Sequence, residues 1–174
     1  MEKEKIFDRK LHSNRQDLAG EHVFGDLGQI ILFIIFLAVW TTNSFFINYP
    51  TFISKYIPLF VRIPLSIIIL IISGYLAKAG LNIVFGEIRE EPDVITKGVF
   101  GVVRHPIYLG SILLYLGLLT FTFSIMATVI WIIIVVFYYF ISKHEEKLLL
   151  KKFGEKYEDY IKDVPMLIPR IKRK

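Results

Sequence analysis

The chain reads as an all-α integral membrane protein with about four transmembrane helices, the last two folded into a hairpin. Three observations carry that reading. Of 174 residues, 54% are hydrophobic and 21% charged, an apolar excess beyond that of an ordinary soluble domain. The apolar residues gather into three stretches that reach or exceed the ~20 residues one crossing requires. The basic residues fall almost entirely on one side of those stretches.

Leu27 to Ile47 is the first stretch, broken by Gln29 and, toward its end, by the polar patch Thr41-Thr42-Asn43-Ser44. Leu59 to Ala77 is the second. Arg62 and Pro64 stand at its start, where an arginine can snorkel and a proline costs little. The third, Ile107 to Ile141, is about twice the length of one crossing and is interrupted by Thr120-Phe-Thr-Phe-Ser124. It predicts a tight helical hairpin, which makes four crossings with both termini on one side.

Charge placement agrees. Five basic residues (Lys3, Lys5, Arg9, Lys10, Arg15) precede the first span, four lie between Lys78 and Arg104, and ten run from Lys143 to Lys174. Only Lys55 and Arg62 fall on the other side. The positive-inside rule then places the termini and the Lys78 to Arg104 loop in the cytoplasm. The net charge of +5 reports orientation and anionic headgroups rather than a nucleic-acid partner.

Residues 1–26 are polar and of mixed charge, lack the order of a cleavable signal, and read as a cytoplasmic arm. Residues 27–81 hold two spans, expected on the substrate side, and residues 82–174 hold the functional core. The chain has no cysteine, which excludes disulfides, thiolate catalysis and thiolate metal ligation. No histidine pair has metal-ligand spacing with a partner carboxylate. His12, His22 and His144 read as solvent-facing, and Tyr138-Tyr139 as an aromatic belt.

Beyond the second span, Gly80 to Phe85 continues the helix toward the surface, and a polar loop runs to Pro92. Val94 to Phe100 reads as an extended or turn segment with Gly98 available for a positive φ. After the hairpin, Phe153-Gly154 marks a helix stop or kink. Glu155 to Lys162 resumes as a short amphipathic helix with Tyr157 and Tyr160 on one side. Val164-Pro and Ile168-Pro extend the tail back across the site. Gly74, Gly80, Gly110 and Gly117 permit close helix approach, and a gap between the second span and the hairpin is expected to admit a lipid tail.

Two charged islands flank the third apolar stretch, Arg104-His105 before it and Lys143-His-Glu-Glu146 after it. Arg104 offers a forked donor for a carboxylate or phosphate, and Glu145 and Glu146 offer partners for a cation. A ligand bearing both a carboxylate and an amine would bridge them. The same residues also suit an interfacial anchor and a solvated helix end, so spacing shows only that the islands can meet.

Gly98-Val-Phe-Gly-Val-Val-Arg-His-Pro-Ile-Tyr108, a hydrophobic hairpin, then Glu145-Glu146, Leu149, Phe153-Gly154, Tyr157 and Tyr160, and finally Ile168-Pro169 resemble the isoprenylcysteine carboxyl methyltransferase and phospholipid methyltransferase superfamily. The likeness spans roughly residues 94 to 170. It implies an S-adenosyl-L-methionine-dependent methyltransferase with a cytoplasmic cofactor pocket built from the segment before the hairpin and the C-terminal helices. Arg104, His105 and Tyr108 would form the pocket and its catalytic side. Pro106 would shape the backbone, and Ile95 with Gly98 would border the adenosine. Glu145, or second to it Glu146, would hold the cofactor's amino group. Phe100 departs from a tyrosine frequent there.

The acceptor is then a lipophilic or lipid-linked molecule. O-methylation of an isoprenylcysteine-type carboxylate is the first expectation, and N-methylation of a phospholipid amine the alternative, with His105 as the candidate base. A membrane reductase using NADPH and a non-enzymatic scaffold are the other readings.

Overall fold

A computed structural model describes residues 23–47, 56–86 and 93–170. Most of the N-terminal arm, with His12 and His22, and much of the polar loop before Pro92 lie outside the described residues. So do Lys55 and the last four residues.

Among the described residues every regular element is helical. α1, Val23–Thr41, continues into a π-helical segment, Thr42–Ile47, which carries most of the polar patch foreseen at the end of the first span. Asn43 accepts a hydrogen bond there from the Ser124 hydroxyl at 2.5 Å. α2, Leu59–Phe85, starts after Pro58, holds Pro64 near its start, and runs without interruption through Gly80 to Phe85.

α3, Pro106–Thr122, begins with proline at its first position, where the missing N–H costs nothing. It ends at Phe123, whose φ of 52° is left-handed. Ser124 then caps α4, Ile125–Phe153, by accepting the Ala127 N–H at 3.2 Å. The Thr120 to Ser124 interruption is thus a two-residue reversal between antiparallel helices.

The Leu27–Phe46 segment, α2 and α4 are long and apolar enough to cross a membrane, while α3 is a shorter apolar helix of 17 residues. At 1.5 Å per residue α4 is ~44 Å long, against a hydrocarbon core of ~30 Å. Its last turns, with Glu145 and Glu146, therefore project from the apolar layer. Gly154 breaks the helix at φ 54°, and α5, Glu155–Asp163, resumes with Tyr157 and Tyr160 on its buried side.

The core joins α1, α3 and α4 through Phe36, Ile112, Tyr115, Leu119, Ala127, Ile134 and Tyr138. α2 packs on the other side of α3. Two buried serines of α2, Ser66 and Ser73, donate to the carbonyls of Gly117 and Gly110 on α3 at 2.6 and 2.7 Å. A Cβ on Gly110 would stand 3.1 Å from the Ser73 carbonyl oxygen, one on Gly117 2.7 Å from Leu70, and one on Gly80 2.6 Å from Ile107.

Three of the four glycines singled out in the sequence therefore serve close helix approach. Gly74 meets nothing within 4 Å. The gap expected between the second span and the hairpin is absent where α2 meets α3, because small residues let the backbones touch and serine hydroxyls join them. The outward face of α2, including Ile67, Ile68, Ile71 and Ile72, is exposed and apolar, as suits contact with lipid tails.

Candidate active site

The site forms where the segment before α3, the end of α4 and the chain after α5 converge. Gly98 adopts φ 59° and opens a 3₁₀ turn, Gly98–Gly101, a conformation that costs glycine little. The turn leads into Val103, which is fully buried. Next, the Arg104 and His105 N–H groups donate to the carbonyls of Pro165 and Met166 at 2.9 and 3.1 Å. The tail thus crosses the site, but it is extended only at Val164 and bends from Met166 to Ile168 instead of following the extended path expected from the two X-Pro steps.

Arg104 is buried and fully engaged. Its Nε and Nη2 reach Glu146 Oε1 at 2.8 and 2.6 Å. Nη1 donates to the Ile161 carbonyl at 3.1 Å and also to that of Val164. One guanidinium therefore ties together the pre-hairpin segment, α4, α5 and the tail.

His105 sits between the two carboxylates, with Nδ1 at 3.5 Å from Glu145 Oε2 and Nε2 at 3.5 Å from Glu146 Oε1. A neutral imidazole can donate from only one nitrogen, so facing two carboxylates favours the cation. Burial opposes that charge, but Glu145 and Glu146 together outweigh it and raise the pKa above its ordinary 6.5.

A group with a raised folded-state pKa contributes stability that is fully present below its unfolded value and lost as the pH climbs through the folded one. The thermal midpoint of the detergent-solubilised protein is therefore expected to fall as the pH rises above about 6.5. His105→Gln should flatten that profile. An unchanged profile in the variant would remove His105 as its source.

Tyr108 stacks parallel on His105, with centroids 5.6 Å apart and an interplanar angle of 2°, and its hydroxyl donates to Glu145. The two glutamates differ in access. The Glu146 side chain is 5% exposed and consumed by Arg104, whereas that of Glu145 is 21% exposed. Glu145 is the more accessible carboxylate of the two.

Beside this cluster lies a cleft of about 90 Å³ walled by Ile95, Phe100, Arg104, Leu149, Phe153, Tyr157 and Tyr160, among others. Tyr160 donates to the Phe100 carbonyl at 2.6 Å, which fixes the 3₁₀ turn against α5. Burial pushes the Tyr157 and Tyr160 phenols up, so both are neutral. Lys156 and Asp93 pair at 2.6 Å, and Asp93 belongs to the cleft wall.

Of the residues foreseen from the sequence, the fold gathers Arg104, His105, Tyr108, Glu145 and Glu146 into one cluster and sets Ile95 in the cleft with Arg104. Gly98 sets the turn with its positive φ, and Pro106 shapes the backbone as the first residue of α3, facing Gly80 together with Ile107. Tyr139 is exposed, as the belt reading requires. That reading fails for Tyr138, which is 3% exposed and lies 5.2 Å from the Tyr108 ring. A belt residue faces the bilayer, but the helical turn carries Tyr138 inward. The signal for this was present as the three- and four-residue spacing of Tyr138, Ser142 and Glu145.

The family model described as PEMT, phospholipid methyltransferase, matches residues 60–156. That range takes in α2 almost whole, the hairpin and both charged islands. No curated protein matches the chain significantly.

Proposed function

The chain belongs to the phospholipid methyltransferase family, whose members use S-adenosylmethionine, and from that premise we propose that it methylates a lipid-borne carboxylate on oxygen. It is a multi-pass membrane methyltransferase. Membership in this family decides against the nicotinamide reductase and the scaffold.

The residues present fit the cofactor by their chemistry. Glu145 is a partly exposed carboxylate suited to an ammonium group, and Ile95, Phe100, Phe153 and Tyr157 offer apolar and aromatic walls suited to a purine. The cleft of about 90 Å³ is below the ~300–1,000 Å³ of pockets that enclose whole ligands. It suits a ring rather than the entire cofactor. When bound, the cofactor supplies a methyl group already activated on a sulfonium. The protein's part is to align the acceptor and exclude water.

One observation carries the choice of acceptor. His105 faces Glu145 and Glu146 at 3.5 Å each, and the two carboxylates raise its pKa against the opposing effect of burial, which favours its protonated form and weighs against it as a base. A carboxylate acceptor needs no base, whereas an ammonium must first lose a proton. N-methylation of an aminophospholipid stays as the second reading, supported by the description of the family and by the exposed edge of Glu145, which offers a proton acceptor.

The placement of charge supports a cytoplasmic site, since only Lys55 and Arg62 lie on the opposite side, and a four-crossing arrangement in which α3 and α4 span as a pair. Transfer of a labelled methyl group from S-adenosylmethionine to lipid, followed by mild base, tests the reaction class. A carboxyl methyl ester releases its label as volatile methanol and is the expected product. Base-stable label on a headgroup amine would replace it with N-methylation.

A further inference from the structure

The acceptor must reach Glu145 from the bilayer, and the α2–α3 interface is closed by Gly80, Gly110 and Gly117 and by the Ser66 and Ser73 hydrogen bonds. On the opposite side of the hairpin, where α1 meets α3 and α4, polar groups lead inward from the site. Tyr108, Ser111 and Tyr115 on α3, and Tyr138, Ser142 and Glu145 on α4, recur at three- and four-residue spacing, so each set occupies one helix face. The Tyr108 and Tyr138 rings are 5.2 Å apart, and the Ser111 and Tyr115 hydroxyls adjoin that of Tyr138. Tyr138 in turn donates to Gln29 Oε1 on α1 at 3.4 Å.

Tyr138 lies seven residues before Glu145 on α4, ~10 Å deeper along the helix. Polar groups at such depth are expensive in a membrane and mark function. Ser142, between those two, is fully buried, and its hydroxyl has no hydrogen-bond partner. Packing alone leaves that hydroxyl unexplained, since an apolar side chain of similar size would avoid its desolvation cost.

We propose that this seam is the acceptor-headgroup subsite and that Gln29, Tyr138 and Ser142 determine acceptor specificity. The inference rests on the methyltransferase reading of the Glu145 cluster. Gln29 and Ser142 offer an amide and a hydroxyl donor, Tyr138 orients Gln29 through its own hydrogen bond, and none of the three carries a formal charge. The seam therefore takes a hydrogen-bond-accepting headgroup, such as a carboxylate, whose tail stays among the lipid-facing side chains Ile30 and Ile34 of α1, both exposed.

Steady-state kinetics with a prenylated N-acetylcysteine in mixed phospholipid micelles, paired with calorimetric titration of S-adenosylmethionine, provides the test. Gln29→Leu and Tyr138→Phe should each raise the acceptor KM by about ten-fold, the loss of one hydrogen bond to a charged group, and leave cofactor affinity unchanged. An unchanged KM in both, with cofactor binding intact, overturns this inference alone. Failure of the unsubstituted protein to bind the cofactor overturns the parent reading and this one with it.

A second variant locates the way in. The chain has no cysteine, and a Cβ on Gly110 would lie 3.4 Å from the Ala77 Cβ, near the spacing a disulfide needs. Oxidised Ala77→Cys/Gly110→Cys should turn over as fast as its reduced form. Turnover lost on oxidation and restored by reductant, at constant cofactor binding, would place the portal between α2 and α3 and overturn the proposal.

Discussion

Arg104→Ala should destabilise the protein by about 3–5 kcal/mol, the cost of leaving a buried charge without its partner. The guanidinium touches Glu146, the end of α5 and the tail together. Removing it takes from Glu146, whose side chain is 5% exposed, its nearest partner and leaves only His105 and Lys143 at 3.5 and 3.8 Å, and it frees the segment that donates to Pro165 and Met166. Thermal unfolding in detergent, followed by circular dichroism, measures the loss. Cofactor binding should vanish as well, because the cleft wall moves with the tail. The double variant Arg104→Met/Glu146→Leu should recover much of the stability, as apolar replacement of a buried pair does. A midpoint for Arg104→Ala within a degree of the unsubstituted protein would show that the clasp is not what holds the tail.

Glu145→Gln should do the reverse and spare the fold while losing the ligand. Glutamine keeps the oxygen that accepts from Tyr108 but removes the charge that would meet the ammonium group of S-adenosylmethionine. A charge-assisted hydrogen bond contributes about 1.5–3 kcal/mol, so the dissociation constant should rise roughly 10- to 150-fold. Glu146→Gln should instead lower stability, because its partner is Arg104. Calorimetric titration of both variants, with unfolding midpoints alongside, separates the two carboxylates. Unaltered affinity in Glu145→Gln would sink the assignment of that carboxylate.

Much of this architecture was legible in the chain because a bilayer imposes simple rules. Length and apolar content located the spans, and a non-apolar break in an over-long stretch located the hairpin turn. Gly98, Gly154 and the two X-Pro steps marked backbone changes that few residues make without cost. The resemblance carried by Arg104-His-Pro and by Glu145-Glu146 anticipated the cluster and the cofactor class.

Other features were not legible. Adjacent glutamates look alike in sequence, yet on a helix they point about 100° apart, and only packing turns Glu146 inward to Arg104 and leaves Glu145 accessible. The same rotation sends Tyr138 into the core and Tyr139 outward. Nor does spacing show that Arg104, which looks like a donor free for a ligand, spends its donors on Glu146 and two carbonyls.

The sequence by itself determined a helical membrane protein, its hairpin, its two charged islands and the methyltransferase family, since each depends on residue type and spacing along one chain. The tertiary structure alone decided which glutamate is reachable, which helix pair is sealed by serine and glycine, and where polar side chains descend from the site. Those are relations between faces of different helices. They are set by the rotation at which helices pack, and composition does not encode it.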